Sequence, residues 1–250
     1  MLILIGLGSV LLSTRGFKFP WILSSSPTST STITLTLSPS STSTRQATPD
    51  SKATRETQIR AFADPILADV LSRRPNHEAD FSTYDPKWGS SFEVTFTDGV
   101  MHMRSPAGSV SVGGEHIAAA DFVIQFDFSP VITVSSDQIQ LLFRQGSGPY
   151  YGLGLIMDGS WYISYNNGTA GHPVCDGRTS LTRDGQTRTV LFIAQGSEMA
   201  FYLDGQPVGY CQDESTFTAE EATIAVDSSA GNIEVDFDNI EFWDLNELKP

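Results

Sequence analysis

The sequence predicts an all-β protein, an antiparallel two-sheet sandwich with one short N-terminal helix. Three observations carry this. From residue 92 onward apolar residues recur with period two, the signature of half-buried strands. Turn pairs such as Asp98-Gly99, Asp158-Gly159 and Asp204-Gly205 separate short runs, as hairpin connections do. No helical pattern longer than the first intervenes, so the crossovers that a parallel sheet requires are missing.

Charge divides the 250 residues into two blocks. Met1 to Arg60 hold six Lys/Arg and two Asp/Glu, whereas Ala61 to Pro250 hold nine and twenty-seven, so a net charge of −14 resolves into +4 and −18. An acidic globular part without a basic stripe repels phosphate backbones, which excludes nucleic acid as a partner. Its carboxylates make the surface soluble, and Ca²⁺ is the one ion such a composition could collect. No other cofactor is called for.

Taken in order, the chain opens with MLILIGLGSVLL, twelve apolar residues where a bilayer-spanning helix needs roughly 20. Residues 1–23 therefore suit a remnant of a secretory signal or a membrane anchor, although no basic residue precedes the apolar run. Either reading makes the rest secreted or membrane-anchored outside the cytosol, touching a membrane only through this segment. Between Ser24 and Thr44, sixteen of twenty-one residues are Ser or Thr, too little apolar surface to offset chain entropy. Residues 24–60 are thus expected to be a disordered linker or stalk. Residues 61–77 follow as a short helix and lead-in, with Asp64 as cap, Pro65 at the first helical position and Pro75 as stop. Ile66, Leu67, Val70 and Leu71 give it an apolar stripe for an end or edge of the sandwich, which occupies residues 78–250.

Strands are expected from Phe92 to Thr97 and Val100 to Arg104, then at Phe122–Phe128, Gln138–Arg144, Tyr151–Met157 and Trp161–Asn166. More follow at Arg188–Ala194, Met199–Leu203, Pro207–Cys211, Ala222–Val226 and Ile233–Trp243. Parity sorts their side chains. Phe122, Ile124, Phe126 and Phe128 share one, as do Ile139, Leu141 and Phe143, and Trp161, Ile163 and Tyr165; these form the buried layer. Gln125, Asp127, Gln140, Arg144 and Tyr162 take the other. Amides, a guanidinium and a phenol ring suit sugars, which need planar hydrogen-bonding groups and an aromatic plate, so these five residues are the expected ligand contacts on one concave face. A solvated sheet face accounts for the same pattern. Cys175 and Cys211 either form a disulfide closing a loop of 36 residues or remain buried thiols.

From about Asp80 to Leu248 the chain resembles the concanavalin A-like lectin/glucanase superfamily, in particular its laminin-G-like and 3-keto-disaccharide-hydrolase-like modules of bacterial extracellular proteins. The resemblance is carried by Asp80-Phe81-Ser82 with Trp88, by Leu142-Phe143-Arg144 before Tyr150-Tyr151, and by Asp158-Gly159-Ser160-Trp161-Tyr162. It continues through Phe201-Tyr202-Leu203-Asp204-Gly205 and ends at Val235-Asp236-Phe237-Asp238-Asn239-Ile240. It implies a jelly roll in an exported setting, with carbohydrate or another cell-surface polymer as partner. Such modules bind glycans without catalysis, hydrolyse glycosides, or serve as spacers that dock proteins. The first of these is the expected function.

Chemistry for the second is sparse. Glucanases of the superfamily carry Glu-x-Asp-x-(x)-Glu on one strand, and Glu234, Asp236 and Asp238 come near that spacing with Asp in the last place. Their position on the last strand, with a parity switch after Asp238, reads instead as an acidic edge that discourages strand addition. His77, His102, His116 and His172 show no ligand spacing, and no nucleophile elbow or phosphate loop is present. For Ca²⁺, Asp127, Asp158 and Asp227 are the acids placed at strand ends. No catalytic or metal-binding residue is assigned.

Overall fold

The computed structural model describes residues 51–83, 88, 93–145, 148–181, 185–214, 221–228 and 232–247. The apolar segment 1–23 and the stalk through residue 50 lie outside the described residues, as does Phe92.

The described chain begins in a helix, α1 (Ser51–Val70), longer than expected and starting within the assigned linker. Pro65 lies inside it instead of at its start. An interior proline costs about 3 kcal/mol by removing a hydrogen bond and crowding the preceding turn. Burial offsets this. Ile59, Ala63 and Val70, spaced at helical intervals, are all but inaccessible and pack on Val123, Ile193, Ala200, Tyr202 and Trp243. Asp64 caps nothing; its carboxylate accepts a hydrogen bond from the Tyr202 hydroxyl at 3.2 Å.

Fourteen strands follow among the described residues. The first five are β1 (His77–Ala79), β2 (Val94–Thr97), β3 (Val100–Ser105), β4 (Ser109–Ala118) and β5 (Phe122–Ile132). Next come β6 (Gln138–Phe143), β7 (Tyr150–Ile156), β8 (Ser160–Asn166), β9 (Gly171–Arg178) and β10 (Arg188–Gln195). The last are β11 (Glu198–Leu203), β12 (Gln206–Gln212), β13 (Glu221–Ser228) and β14 (Ile233–Asp244). They form two antiparallel sheets. Sheet A runs β12-β11-β10-β5-β14-β3-β2, with β1 pairing the end of β14 beyond β3, and sheet B runs β4-β13-β6-β7-β8-β9.

The Asp98-Gly99 and Asp204-Gly205 turns have positive φ at both residues, 56° and 78°, then 51° and 70°, as two-residue hairpins demand. Between the sheets the predicted parity holds. Phe122, Phe126, Phe128, Phe143, Phe192, Phe237 and Phe242 are buried there, with Phe122 stacked on Phe242 at 5.1 Å.

The outer faces differ. α1 covers part of sheet A, packing on its outer face and against the edge strand β12. No described helix or strand crosses the outer face of sheet B. The two sheets are also joined covalently: Cys175 on β9, an edge of sheet B, is bonded to Cys211 on β12, an edge of sheet A, with Cα atoms 6.1 Å apart. Cys175 lies in a strand, β9, that is not among those expected from the sequence. A closed loop of this length stabilises by roughly 3–4 kcal/mol in the chain-entropy account.

Candidate functional site

The five expected ligand contacts do not share a face. Gln125 and Asp127 are on β5 in sheet A, whereas Gln140 and Tyr162 are on β6 and β8 in sheet B. Outward parity is common to both pairs, but in a sandwich the two outward faces look in opposite directions. Arg144 is not a surface residue at all. It leaves the ladder after Phe143 at φ 50°, which breaks the alternation, and is 3% exposed. Its Nε donates to the Ala120 carbonyl at 2.8 Å and its Nη2 to Asp121 at 3.2 Å, with the guanidinium 6.0 Å from the centre of the Tyr151 ring. A residue so committed ties the β6 end to the start of β5.

On sheet A, Asp127 accepts hydrogen bonds from Thr189 Oγ1 at 2.5 Å and Asn239 Nδ2 at 2.9 Å. Gln125 reaches Glu241 at 3.5 Å. The acidic strand is an interior one: β14 lies between β5 and β3, so it is not the protective edge expected. Glu234 and Asp236 do share its outer face, yet each is already paired, with Arg104 at 2.8 Å and His102 at 2.6 Å. After Asp238 a bulge adds one residue, since Asp238 faces Asp127 while Glu241 faces Gln125, and Asn239 takes φ 50°. Burial, with Glu78 and Asp127 adding repulsion, raises the Glu241 carboxyl above the usual glutamate range.

Sheet B gathers a different set. Register places Ala225, Gln140, Gly154, Tyr162 and Asp176 in one row across five strands, with Asp227 facing Gln138 in the next row. Gly154 lacks a side chain, and the phenol end of Tyr162 occupies the space: a Cβ there would come within 2.4 Å of it. The ring thus lies across β7, and its hydroxyl donates to Gln138 Oε1 at 2.8 Å. Gln138 and Gln140 donate in turn to Asp227 Oδ2, at 2.6 and 3.3 Å. Burial, then the neighbouring Asp227 charge, pushes the Tyr162 hydroxyl up to about 12. Burial likewise raises the Asp227 carboxyl.

Gln138 was missed from sequence although it shares parity with Gln140. Asp227 enters the sequence reading only as an acid at a strand end, with no role assigned on this face. The three acids considered for Ca²⁺ stand apart. Asp127 is on sheet A and Asp227 on sheet B, while Asp158, in the β7–β8 turn, accepts from Ser160 N at 2.7 Å and from Arg178 at 3.2 Å. Among the described residues no group of three or more His, Cys, Asp or Glu side chains is placed to hold a metal ion.

Solved structures share this architecture. A protein of unknown function with a galectin-like fold from Bacillus subtilis superposes with a TM-score of 0.55 at 12% identity, covering 68% of this chain and 96% of that one. The Bacillus licheniformis β-glucanase gives 0.52 at 11% identity, covering 67% and 97%. A prokaryotic β-1,3-1,4-glucanase (lichenase) from a mouse hindgut metagenome gives 0.52 at 11% identity, covering 68% and 99%. The fold is the concanavalin A-like jelly roll. No protein-family model and no curated protein matches the sequence. In this jelly roll, then, likeness to known structures supplies the scaffold, and the chemistry of the two outer faces has to supply the function.

Proposed function

We propose that the domain is a non-catalytic, extracellular carbohydrate-recognition module that binds a glycan on the outer face of sheet B. The observation that carries the reading is the Tyr162 ring, laid across Gly154 and fixed by Gln138, beside the linked amides and carboxylate of Gln140 and Asp227. A ring lying along a sheet offers its outer face to the C–H face of a pyranose. Amide N–H groups and a carboxylate at its side supply donors and acceptors for hydroxyls. Because these groups already bond one another they are held in place, which lowers the ordering cost of binding.

Hydrolysis is less well supported, because a retaining mechanism needs two carboxyl groups about 5–5.5 Å apart. Glu234 and Asp236 are instead engaged by Arg104 and His102. An extracellular setting is supported by the Cys175–Cys211 bond, since disulfides persist in oxidising compartments.

A glycan array probed with the full chain, followed by calorimetry on the best binder, tests the proposal. Tyr162→Ala should weaken binding about tenfold or more, as loss of a stacking plate and its hydrogen bond does. Gln140→Ala should weaken it less. An array without binders, or a Tyr162→Ala variant of unchanged affinity, would remove the reading.

A further inference from the structure

Beside this face lies a recess of about 680 Å³ between the first turns of α1, the end of β9 and the start of β12. Lys52, Arg55 and Arg178 line it, with Thr179, Ser180 and Gln206. Among the described residues the one carboxylate on its wall, Glu56, is committed to Arg60 through a 3.0 Å ion pair on the same helix. The recess is therefore cationic in a chain of net charge −14.

Arg178 belongs to both places. It pairs in register with Ser160, two residues along β8 from Tyr162 and on the same outward parity. Its Nη2 reaches Ser160 Oγ and Asp158 Oδ2, each at 3.2 Å. Its side chain is 74% exposed, and a guanidinium has five N–H donors, so further donors remain for a ligand. Two residues of strand span roughly 7 Å, little more than one sugar ring.

We infer that the glycan is an acidic one: a saccharide stacked on Tyr162 directs a sulfate or carboxylate substituent past Arg178 into the recess, where Arg55 completes its shell. This rests on the glycan reading of sheet B. A guanidinium fork matches the oxygens of such groups, and the bonds are charge-assisted. The overall negative charge repels polyanions at large, so capture of one requires a local site of this kind.

The test compares dextran with dextran sulfate of equal length, binding to the full chain, at low and at physiological salt. Dextran sulfate should bind about tenfold more tightly at low salt, with the advantage shrinking as salt screens it. The exposed pair Arg55→Gln/Arg178→Gln should reduce that advantage to about twofold or less, consistent with loss of charge-assisted bonds. A thermal melt matching that of the parent chain shows that the fold survives. Tyr162→Ala should weaken both polymers. Equal affinity for the two polymers, or a preference that survives the double substitution, overturns the inference while leaving the sheet B face standing. A Tyr162→Ala variant that binds both as tightly as the parent chain overturns the face itself and the inference with it.

Discussion

Replacing Arg144 by alanine should unfold the domain more readily without touching recognition. The side chain is 4% exposed and Asp121, its partner, 28% exposed. Breaking a buried ion pair costs about 3–5 kcal/mol because the remaining charge is stranded. Here water reaches Asp121 in part, and that carboxylate still accepts from Gly196 N at 2.9 Å, which favours the lower end. The Ala120 carbonyl, by contrast, loses the donor it has at 2.8 Å. A loss of about 3 kcal/mol lowers the melting temperature of a domain this size by roughly 6–12 °C. Urea and thermal unfolding followed by circular dichroism would measure it, with glycan affinity taken well below the melting point. Arg144→Lys keeps the charge but cannot reproduce both bonds, so it should fall between. If Arg144→Ala melted within about 0.5 kcal/mol of the parent chain and lost its ligand, the assignment of this residue to structure would be wrong, since surface changes usually stay within that range.

Four further outcomes follow from the same structure. Ile59→Ala, in the part of α1 first assigned to a linker, should cost about 2–4 kcal/mol in urea unfolding, as buried isoleucines do. Pro65→Ala should stabilise by about 2 kcal/mol, the roughly 3 kcal/mol cost of an interior proline less about 1 kcal/mol for the freer unfolded chain; a neutral result would contradict an interior position for this residue. Replacing Cys175 and Cys211 by serine should cost roughly 3–4 kcal/mol and speed hydrogen exchange on β9 and β12, and unchanged exchange there would show that packing alone holds the two edges. In alkaline titration at 295 nm, Tyr162, Tyr202 and Tyr210 should ionise late, near 12 in each case, against an ordinary 10. A folded-state value above the unfolded one means that their contribution to stability is intact below pH 10 and is lost as pH rises through about 12. Tyr162→Phe should remove part of that late phase, and a titration complete by pH 11 would contradict the burial of these hydroxyls.

What the sequence made legible follows from what is local. Asp98-Gly99 and Asp204-Gly205 announce hairpins because both residues adopt positive φ, and alternation announces the core because inward positions on β5, β6 and β8 carry Phe, Ile, Leu and Trp. Parity says only in or out. Which sheet a strand joins depends on partners far along the chain, so Gln125 and Gln140 look equivalent until β5 is seen beside β10 and β14, and β6 beside β13 and β7. Three strands escaped for different reasons. β1, at three residues, is too short to show alternation. In β4, Ser111 and Gly113 point inward while Val110 and Val112 are 47% and 53% exposed, so polarity runs against the usual rule. β9 carries Pro173 and two glycines on a sheet edge, where proline is tolerated but strand propensity is poor. Arg144 was misplaced because a single left-handed residue ends the alternation, and nothing in the surrounding LLFRQ marks it. The helix start was misread because tertiary burial outweighed the local signal of Asp64-Pro65.

The outward positions favour sheet B over sheet A as the face on which the proposed recognition would take place. Where α1 lies on sheet A they are apolar, as Val123, Ile193, Ala200, Tyr202 and Trp243. Beyond the helix, on β3 and β14, they are charged and mutually satisfied, as Arg104 with Glu234 and His102 with Asp236. A ligand there would have to displace ion pairs before gaining hydrogen bonds of its own. On sheet B the Tyr162 network consists of two amides, a phenol and one carboxylate, joined by hydrogen bonds between largely uncharged groups. Neutral amides exchange partners at lower desolvation cost than ions do, and Asp227 is already partly withdrawn from water. A hydroxyl-rich ligand can therefore join the Tyr162 network as an additional partner, whereas on sheet A it would compete with bonds already made.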